Sequence, residues 1–310
     1  MPTQPAWDPA RLPSQAGKTM VVTGGNGGIG YFISEQLAAA GAKVIMASRS
    51  EQRADAAAAS IRERVRGADL GFIRLDLSSL GSVREAAEGI RKLGRVDVLI
   101  NNAGATSGSK ERKLTEDGLE YTVGSNAFGP FALTALSFPA LGVGSRIVGL
   151  GSMATRLVKA DLTNLQSTRG SFKFFTAYAY SKHGMHAFAF ELQRRLTAAG
   201  SGIESLLAHP GFAVDGLSSK RAGITDTRSP LALFGEKFEG IFAQGKDRGA
   251  WPAVRAAVDP GARGGEFYGP KRNVSGQPVV IDPVAQSAEP AFGAEFWRQA
   301  EAATGIRFDI

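Results

Sequence analysis

The chain has 310 residues, 43% hydrophobic and 21% charged, enough apolar content for one large α/β domain or two smaller ones. It contains no cysteine, which removes disulfides, thiolate metal sites and a cysteine nucleophile. Its net charge of +7 favours anions, but the charges are spread out with no aromatic-basic motif, so a phosphate-bearing cofactor is a better expectation than nucleic acid.

Residues 1–17 are polar and proline-rich without an apolar leader run, and read as an arm before a single domain over 18–310 in a cytoplasmic chain. A strand-helix alternation then begins. Thr19–Thr23 is a short β-branched strand running into Gly24, Gly25, Gly27, Gly28 and Gly30, and Ile29–Ala40 reads as a helix closed by Gly41. Lys43–Ala47, Gly71–Leu75, Val96–Ile100, Arg146–Leu150 and Ile203–Ala208 are further strands; Gln52–Arg66 and Ser78–Leu93 are helices, the latter capped by Ser78 or Ser79. Short apolar strands bounded by turn residues fit a parallel sheet covered on both faces. With no repeat or central linker, the pattern predicts one doubly wound α/β domain. The most apolar stretch, Ala127–Val143, is broken by Gly129, Pro130, Pro139 and Gly142, which predicts a buried helix and no membrane span.

The first strand-helix turn, Thr23-Gly24-Gly25-Asn26-Gly27-Gly28-Ile29-Gly30, has the glycines a backbone needs to approach a pyrophosphate at a helix N-terminus. A flexible turn is the bland alternative. At the end of the second strand, Ser48-Arg49 replaces the carboxylate that would bind a ribose 2′-hydroxyl, so NADP (NADPH) is expected over NAD. Asp76, beside Leu77, reads as an adenine contact or a cap. Asn102-Ala103-Gly104, ending the fourth strand, lets the backbone pass close to a cofactor.

Tyr178 and Lys182 have i,i+4 spacing and share one helical face, whereas Tyr180 points elsewhere. Bringing a tyrosine from about pKa 10 to about 7 needs roughly 4 kcal/mol, which a nearby ammonium and an oxidised nicotinamide can supply in a dry cleft. Ser152 follows the fifth strand, where its hydroxyl can donate to a carbonyl oxygen; otherwise it is a cap. Asn126, an amide on an apolar helix, needs a partner such as a water or a carbonyl near Lys182. His183 and His186 have i,i+3 spacing, but without a third clustered ligand no metal is expected.

Taken in order, these motifs resemble the short-chain dehydrogenase/reductase family over roughly residues 17–215. The resemblance implies a Rossmann sheet of about seven strands and NAD(P) as cosubstrate. It implies a tetrad in which Tyr178 is the acid/base, Lys182 lowers its pKa and holds the nicotinamide ribose, Ser152 places the substrate oxygen and Asn126 fixes a proton-relaying water. Arg146–Arg156, Ala160–Gln166, Ala177–Lys182 and His209-Pro210-Gly211 are similar to the retinol dehydrogenase and protochlorophyllide reductase-like branch, with Pro210 and Gly211 beside the cofactor and His209 structural. Where the family commonly has a threonine for the nicotinamide carboxamide, this chain has Asp215.

Residues 212–252 leave the strand-helix rhythm. Leu231, Phe234, Phe238, Ile241 and Phe242 form a helical apolar stripe, read as a lid for a bulky apolar substrate or as a helix packed on the core. The expected function is NADP(H)-dependent hydride exchange with a small-molecule carbonyl or alcohol, without nucleic acid, in a possible homodimer or homotetramer. The alternative is a non-catalytic NADP(H)-binding sensor or scaffold.

Overall fold

The computed structural model describes residues 7–105, 109–225 and 243–310. The first half alternates strictly: β1 (Thr19–Thr23), α1 (Gly28–Ala39), β2 (Lys43–Ser48), α2 (Glu51–Arg62), β3 (Leu70–Arg74), α3 (Leu80–Lys92) and β4 (Val96–Asn101). Then come α4 (Tyr121–Val123), a π-helical turn Gly124–Phe128, α5 (Gly129–Ser137), β5 (Leu141–Leu150), α6 (Ala154–Leu157), α7 (Phe174–Ala198) and β6 (Glu204–Ala208). After β7 (Ala213–Val214) and β8 (Gln244–Gly245) follow a helix Trp251–Val258, β9 (Phe267–Pro270), β10 (Pro278–Val280) and a C-terminal helix Pro290–Thr304.

Eight strands form one sheet in the order β10-β9-β6-β5-β4-β1-β2-β3. Every neighbouring pair is parallel except β9 with β10. The sequence suggests about seven strands; the extra one is the short hairpin partner β10. Alternate side chains of one strand feed opposite cores. Met20 and Val22 of β1 join Tyr31, Phe32 and Leu37 of α1, while Val21 joins Val83 and Ile90 of α3. Burial of each such side chain contributes about 1.5–3 kcal/mol, which makes both faces of the sheet self-supporting. A third core unites α5, α7 and the C-terminal helix through Phe131, Phe188 and Trp297. This is the doubly wound α/β arrangement.

The buried helix is displaced from its expected span. It runs over residues 121–137, and Leu141–Val143 already belong to β5. Pro139 and Gly142 end the helix early, and Val143 is 75% exposed in spite of its apolar neighbours. Among the described residues no helix is long and apolar enough to cross a membrane. Residues 7–17 are tied down: Trp7 and Leu12 pack on the first core, and the Gln15 N–H donates to the Ala40 carbonyl (2.7 Å).

β7 and β8 pair in parallel, Ala213 with Gln244 and Val214 with Gly245. Gln244 reinforces this ladder by donating from its side chain to the Pro210 carbonyl (2.8 Å). The stripe from Leu231 to Phe242, and with it the expected lid, lies outside the described residues.

Candidate active site

β1 has β2 on one side and β4 on the other, so the connections leaving β1 and β4 diverge and open a crevice at their carboxyl ends. There lies a cleft of about 890 Å³, lined from Gly24 and Arg49 at one end to Tyr178 and Lys182 at the other. Asn26, Gly28, Ile29, Gly30, Ser48, Asp76, Leu77, Asn102, Ala103, Gly104 and Pro210 also line it, as the sequence reading expects. A second concavity of about 810 Å³ lies at the opposite sheet edge. Its main charges are already spent: Arg95 pairs with Asp97 and Arg146 with Glu204.

The glycine-rich turn is built for close approach. Gly24 has φ +66°, and a Cβ on it would stand 3.1 Å from the Asn102 amide nitrogen. A Cβ on Gly30 would overlap the Gly24 carbonyl oxygen, so neither position accepts a side chain. Asn102 Nδ2 donates to the Thr23 carbonyl (2.7 Å), clamping β1 to β4 beneath the turn. Thr23 and Gly211, expected as cofactor contacts, do not line the cleft. The Thr23 hydroxyl is fully buried and receives the Ala103 N–H (2.9 Å) while donating to the Ile100 carbonyl (3.2 Å). Gly211 has φ +67° and turns the chain against Val274.

At the ribose end, Ser48 is buried and its hydroxyl oxygen has no partner among the described residues. A buried hydroxyl without a partner is costly unless a ligand satisfies it. Arg49 is exposed beside it, and Arg53 approaches from α2 with its guanidinium 3.7 Å from a Cβ placed on Gly27. Asp76 accepts from the Ser78 N–H (2.9 Å) and hydroxyl (2.7 Å), so it shapes the turn; the cap of α3 is Ser79, which accepts the Ser82 N–H at 3.2 Å.

At the other end, α7 carries Tyr178 and Lys182 one turn apart, and the Ser152 side chain is near enough to the Tyr178 hydroxyl to favour its ionised form. The Ser152 oxygen also accepts the Ala154 N–H (3.2 Å). Lys182 is 5% exposed; its Nζ donates to the Leu150 carbonyl (2.8 Å) and lies 5.8 Å from the Tyr178 ring centre. Burial lowers the lysine to about 8. Burial also pushes the Tyr178 phenol up, and only the Ser152 side chain works against it. The expected lowering of Tyr178 is therefore not produced by Lys182 within the protein itself, because the ammonium is spent on a carbonyl of β5.

Asn126 finds its partners in one backbone unit and one hydroxyl. It lies in the π turn, accepts the Ala105 N–H (2.6 Å), and donates to the Ala105 carbonyl and to the Ser181 hydroxyl, both at 3.1 Å. Its amide thus holds the segment after β4 against α7 and makes no bond to Lys182.

The model for the short chain dehydrogenase family matches residues 18–221. The chain belongs to that family. Human retinol dehydrogenase 13 is 39% identical over 79% of this chain and 74% of its own length, which supports the retinol dehydrogenase-like branch. A solved protein from Mycobacterium paratuberculosis shares 34% identity and a TM-score of 0.79 over 98% of this chain and 99% of its own. A short chain dehydrogenase from Burkholderia cenocepacia solved with NADP shares 28% identity and a TM-score of 0.59, covering 79% of this chain and 92% of that one. The protein is accordingly a short-chain dehydrogenase/reductase: an oxidoreductase acting on small molecules with a nucleotide cosubstrate.

Among the cleft residues of this family member that the sequence reading does not name as contacts are Arg53, Ser125 and Lys246. Arg53 carried a signal, its place four residues after Arg49. Ser125, buried with an unpartnered hydroxyl, adjoined Asn126 without marking itself. Lys246 comes from far along the chain.

All three histidines of the dehydrogenase gather behind the site. His183 is bonded to the Ser287 hydroxyl (2.6 Å) and the Val158 carbonyl (2.7 Å). His186 and His209 both pack on Phe267, at ring separations of 5.1 and 5.4 Å. His209 Nδ1 accepts the Gly211 N–H (3.1 Å), the structural role expected of it. Burial lowers all three, His209 to about 4 and His186 well below its usual value. Folding therefore selects neutral imidazoles, whereas the unfolded chain takes up protons below about pH 6.5. Stability is expected to be full above that pH and to fall as pH drops towards about 4, with His209 alone contributing about 3 kcal/mol over this range. Urea unfolding at pH 8 and pH 5 measures it; a His209→Gln variant with the same pH slope as the parent would sink the assignment.

Proposed function

We propose that the protein is an NADP(H)-dependent oxidoreductase acting on the alcohol or carbonyl group of a bulky apolar substrate. The observation that carries this reading is the pairing of ends in one cleft. Tyr178 and Lys182 line one end with the Ser152 side chain close to the phenol, and Ser48, with its unsatisfied buried hydroxyl, stands beside Arg49 and Arg53 at the other. The residues fit a dinucleotide: the Gly24 and Gly30 cradle leaves room for phosphates, and a serine-arginine pair suits a 2′-phosphate where a carboxylate would repel it. The Burkholderia relative's NADP complex supports the same choice. When bound, the nicotinamide supplies hydride acceptance or donation.

The chain's own groups handle the oxygen and the proton. Ser152 donates a hydrogen bond to the substrate oxygen, holding it beside Tyr178. In reduction the Tyr178 hydroxyl gives its proton to that oxygen; in oxidation the phenolate takes the alcohol's proton. Because burial holds the phenol up, the protonated, donating form dominates at neutral pH. Lys182 presents its remaining N–H groups to the cofactor ribose, while Asn126 positions the Ala105 segment.

Exposed apolar side chains flank the site residues in sequence. Leu157 follows Ser152, Phe175 precedes Tyr178 by one turn, and Phe212 and Leu217 follow Pro210. Exposed apolar side chains of this kind favour a bulky apolar substrate, and the human relative's name, retinol dehydrogenase 13, points to an alcohol of that kind. NADPH oxidation and NADP reduction, followed by absorbance across aldehydes, ketones and alcohols of increasing chain length, test the reading. Turnover that improves with apolar bulk is expected. Tight NADPH binding with no turnover on any of them would favour the sensor or scaffold alternative.

A further inference from the structure

Lys246 opens a short helix, Lys246–Gly249, entered directly from β8. Its backbone N–H donates to the Ser218 hydroxyl (2.8 Å). The next residue, Asp247, accepts from the Ser219 hydroxyl on its carboxylate (2.8 Å) and from Gln36 of α1 on its carbonyl (3.0 Å). These bonds fix the start of the short helix against α1, the helix that leaves the glycine-rich turn. From that anchor the lysine side chain reaches over the turn, and its Nζ lies 3.8 Å from a Cβ placed on Gly28. There it pairs with Asp215 at 2.7 Å, the lysine mostly covered and the carboxylate about half exposed. Both side chains line the cleft.

We propose that Lys246 is a cofactor-binding residue that takes the diphosphate bridge of the dinucleotide; this rests on reading the cleft as a dinucleotide site. Among the described residues the cleft's cationic side chains are Arg49, Arg53, Lys182 and Lys246. Lys182 is held at the catalytic end by the Leu150 carbonyl, and Arg49 belongs to the end of β2. Lys246 is the ammonium above Gly28, where the first N–H groups of α1 are presented. A helix N-terminus carries only about half a unit charge, too little to balance the two negative charges of a diphosphate. A point charge on a flexible stem, entering from the opposite wall, supplies the difference. Its present partner does not prevent this. An ion pair with a half-exposed carboxylate is worth little, whereas phosphate oxygens within the cleft offer charge-assisted bonds. Lys246 is thus brought to the phosphate loop by the β7–β8 ladder, and binding fastens that ladder onto α1.

The test uses the full chain and two ligands, NADPH and adenosine 2′,5′-bisphosphate, which lacks the diphosphate bridge. In Lys246→Met the Kd for NADPH is expected to rise about tenfold or more, while that for the bisphosphate stays within about twofold. Lys246→Arg should recover most of the loss. Should Lys246→Met not fold, Lys246→Gln gives the same comparison. An unchanged NADPH Kd in a folded variant, or an equal loss on both ligands, overturns the role of Lys246 and leaves the dinucleotide reading standing. An unaltered chain that binds neither NADPH nor NADH overturns both.

Discussion

Replacing Tyr178 with phenylalanine is expected to lower turnover by about 10²-fold or more while fold and NADPH affinity survive. The substitution deletes one oxygen and keeps the ring, which packs 6.2 Å from Phe174, so packing changes little. What disappears is the hydroxyl beside Ser152, the group proposed to hand the proton to the substrate oxygen. Tyr180 provides the control. It lies on another face of α7, partly buried against the core of Phe131 and Phe188, and Tyr180→Phe should stay within about twofold of the parent. Single-turnover rates and melting temperatures on both variants decide the matter. A larger loss at Tyr180 than at Tyr178 would show that the catalytic face of the helix is misassigned.

Arg49→Ala is expected to remove most of the preference for NADPH over NADH, a change of about 10- to 100-fold. The guanidinium stands exposed beside Ser48 and makes no hydrogen bond or ion pair among the described residues, so its loss should leave NADH binding and stability nearly untouched. Arg53 retains part of the charge at that end, which sets a floor under the effect. Dissociation constants for both nucleotides on parent and variant measure it. Equal affinities in the parent chain would refute the 2′-phosphate assignment.

What could be read in the sequence follows burial. β1, β2 and β4 are buried along almost their whole length, so an unbroken apolar run announces each of them. Ser152, Tyr178 and Lys182 drew notice because one lies beside a strand end and the other two share a helical face. The stretch around Ala127–Val143 was misjudged because apolar composition looks alike in a buried helix and at the start of β5. The π turn that aims Asn126 at Ala105 carries no composition signal. β7 and β8, with two residues each, are too short for any period, so nothing local could place Lys246 over the glycine-rich turn. Tyr178 shows a different limit: spacing reveals a shared face, but it does not reveal that the Leu150 carbonyl claims the ammonium.

The β7–β8 ladder has one more consequence. The chain departs at Val214 and returns at Gln244, and the pairing of Ala213 with Gln244, backed by the bond to the Pro210 carbonyl, brings departure and return to a single point. Between two ends pinned in this way closure entropy grows slowly, by about 0.6 kcal/mol for each doubling of length. The main sheet is spared, because neither β7 nor β8 belongs to it. Change between Val214 and Gln244 is therefore expected to leave the sheet intact so long as Ser218, Ser219 and Arg221 keep their bonds to Lys246, Asp247 and Glu35.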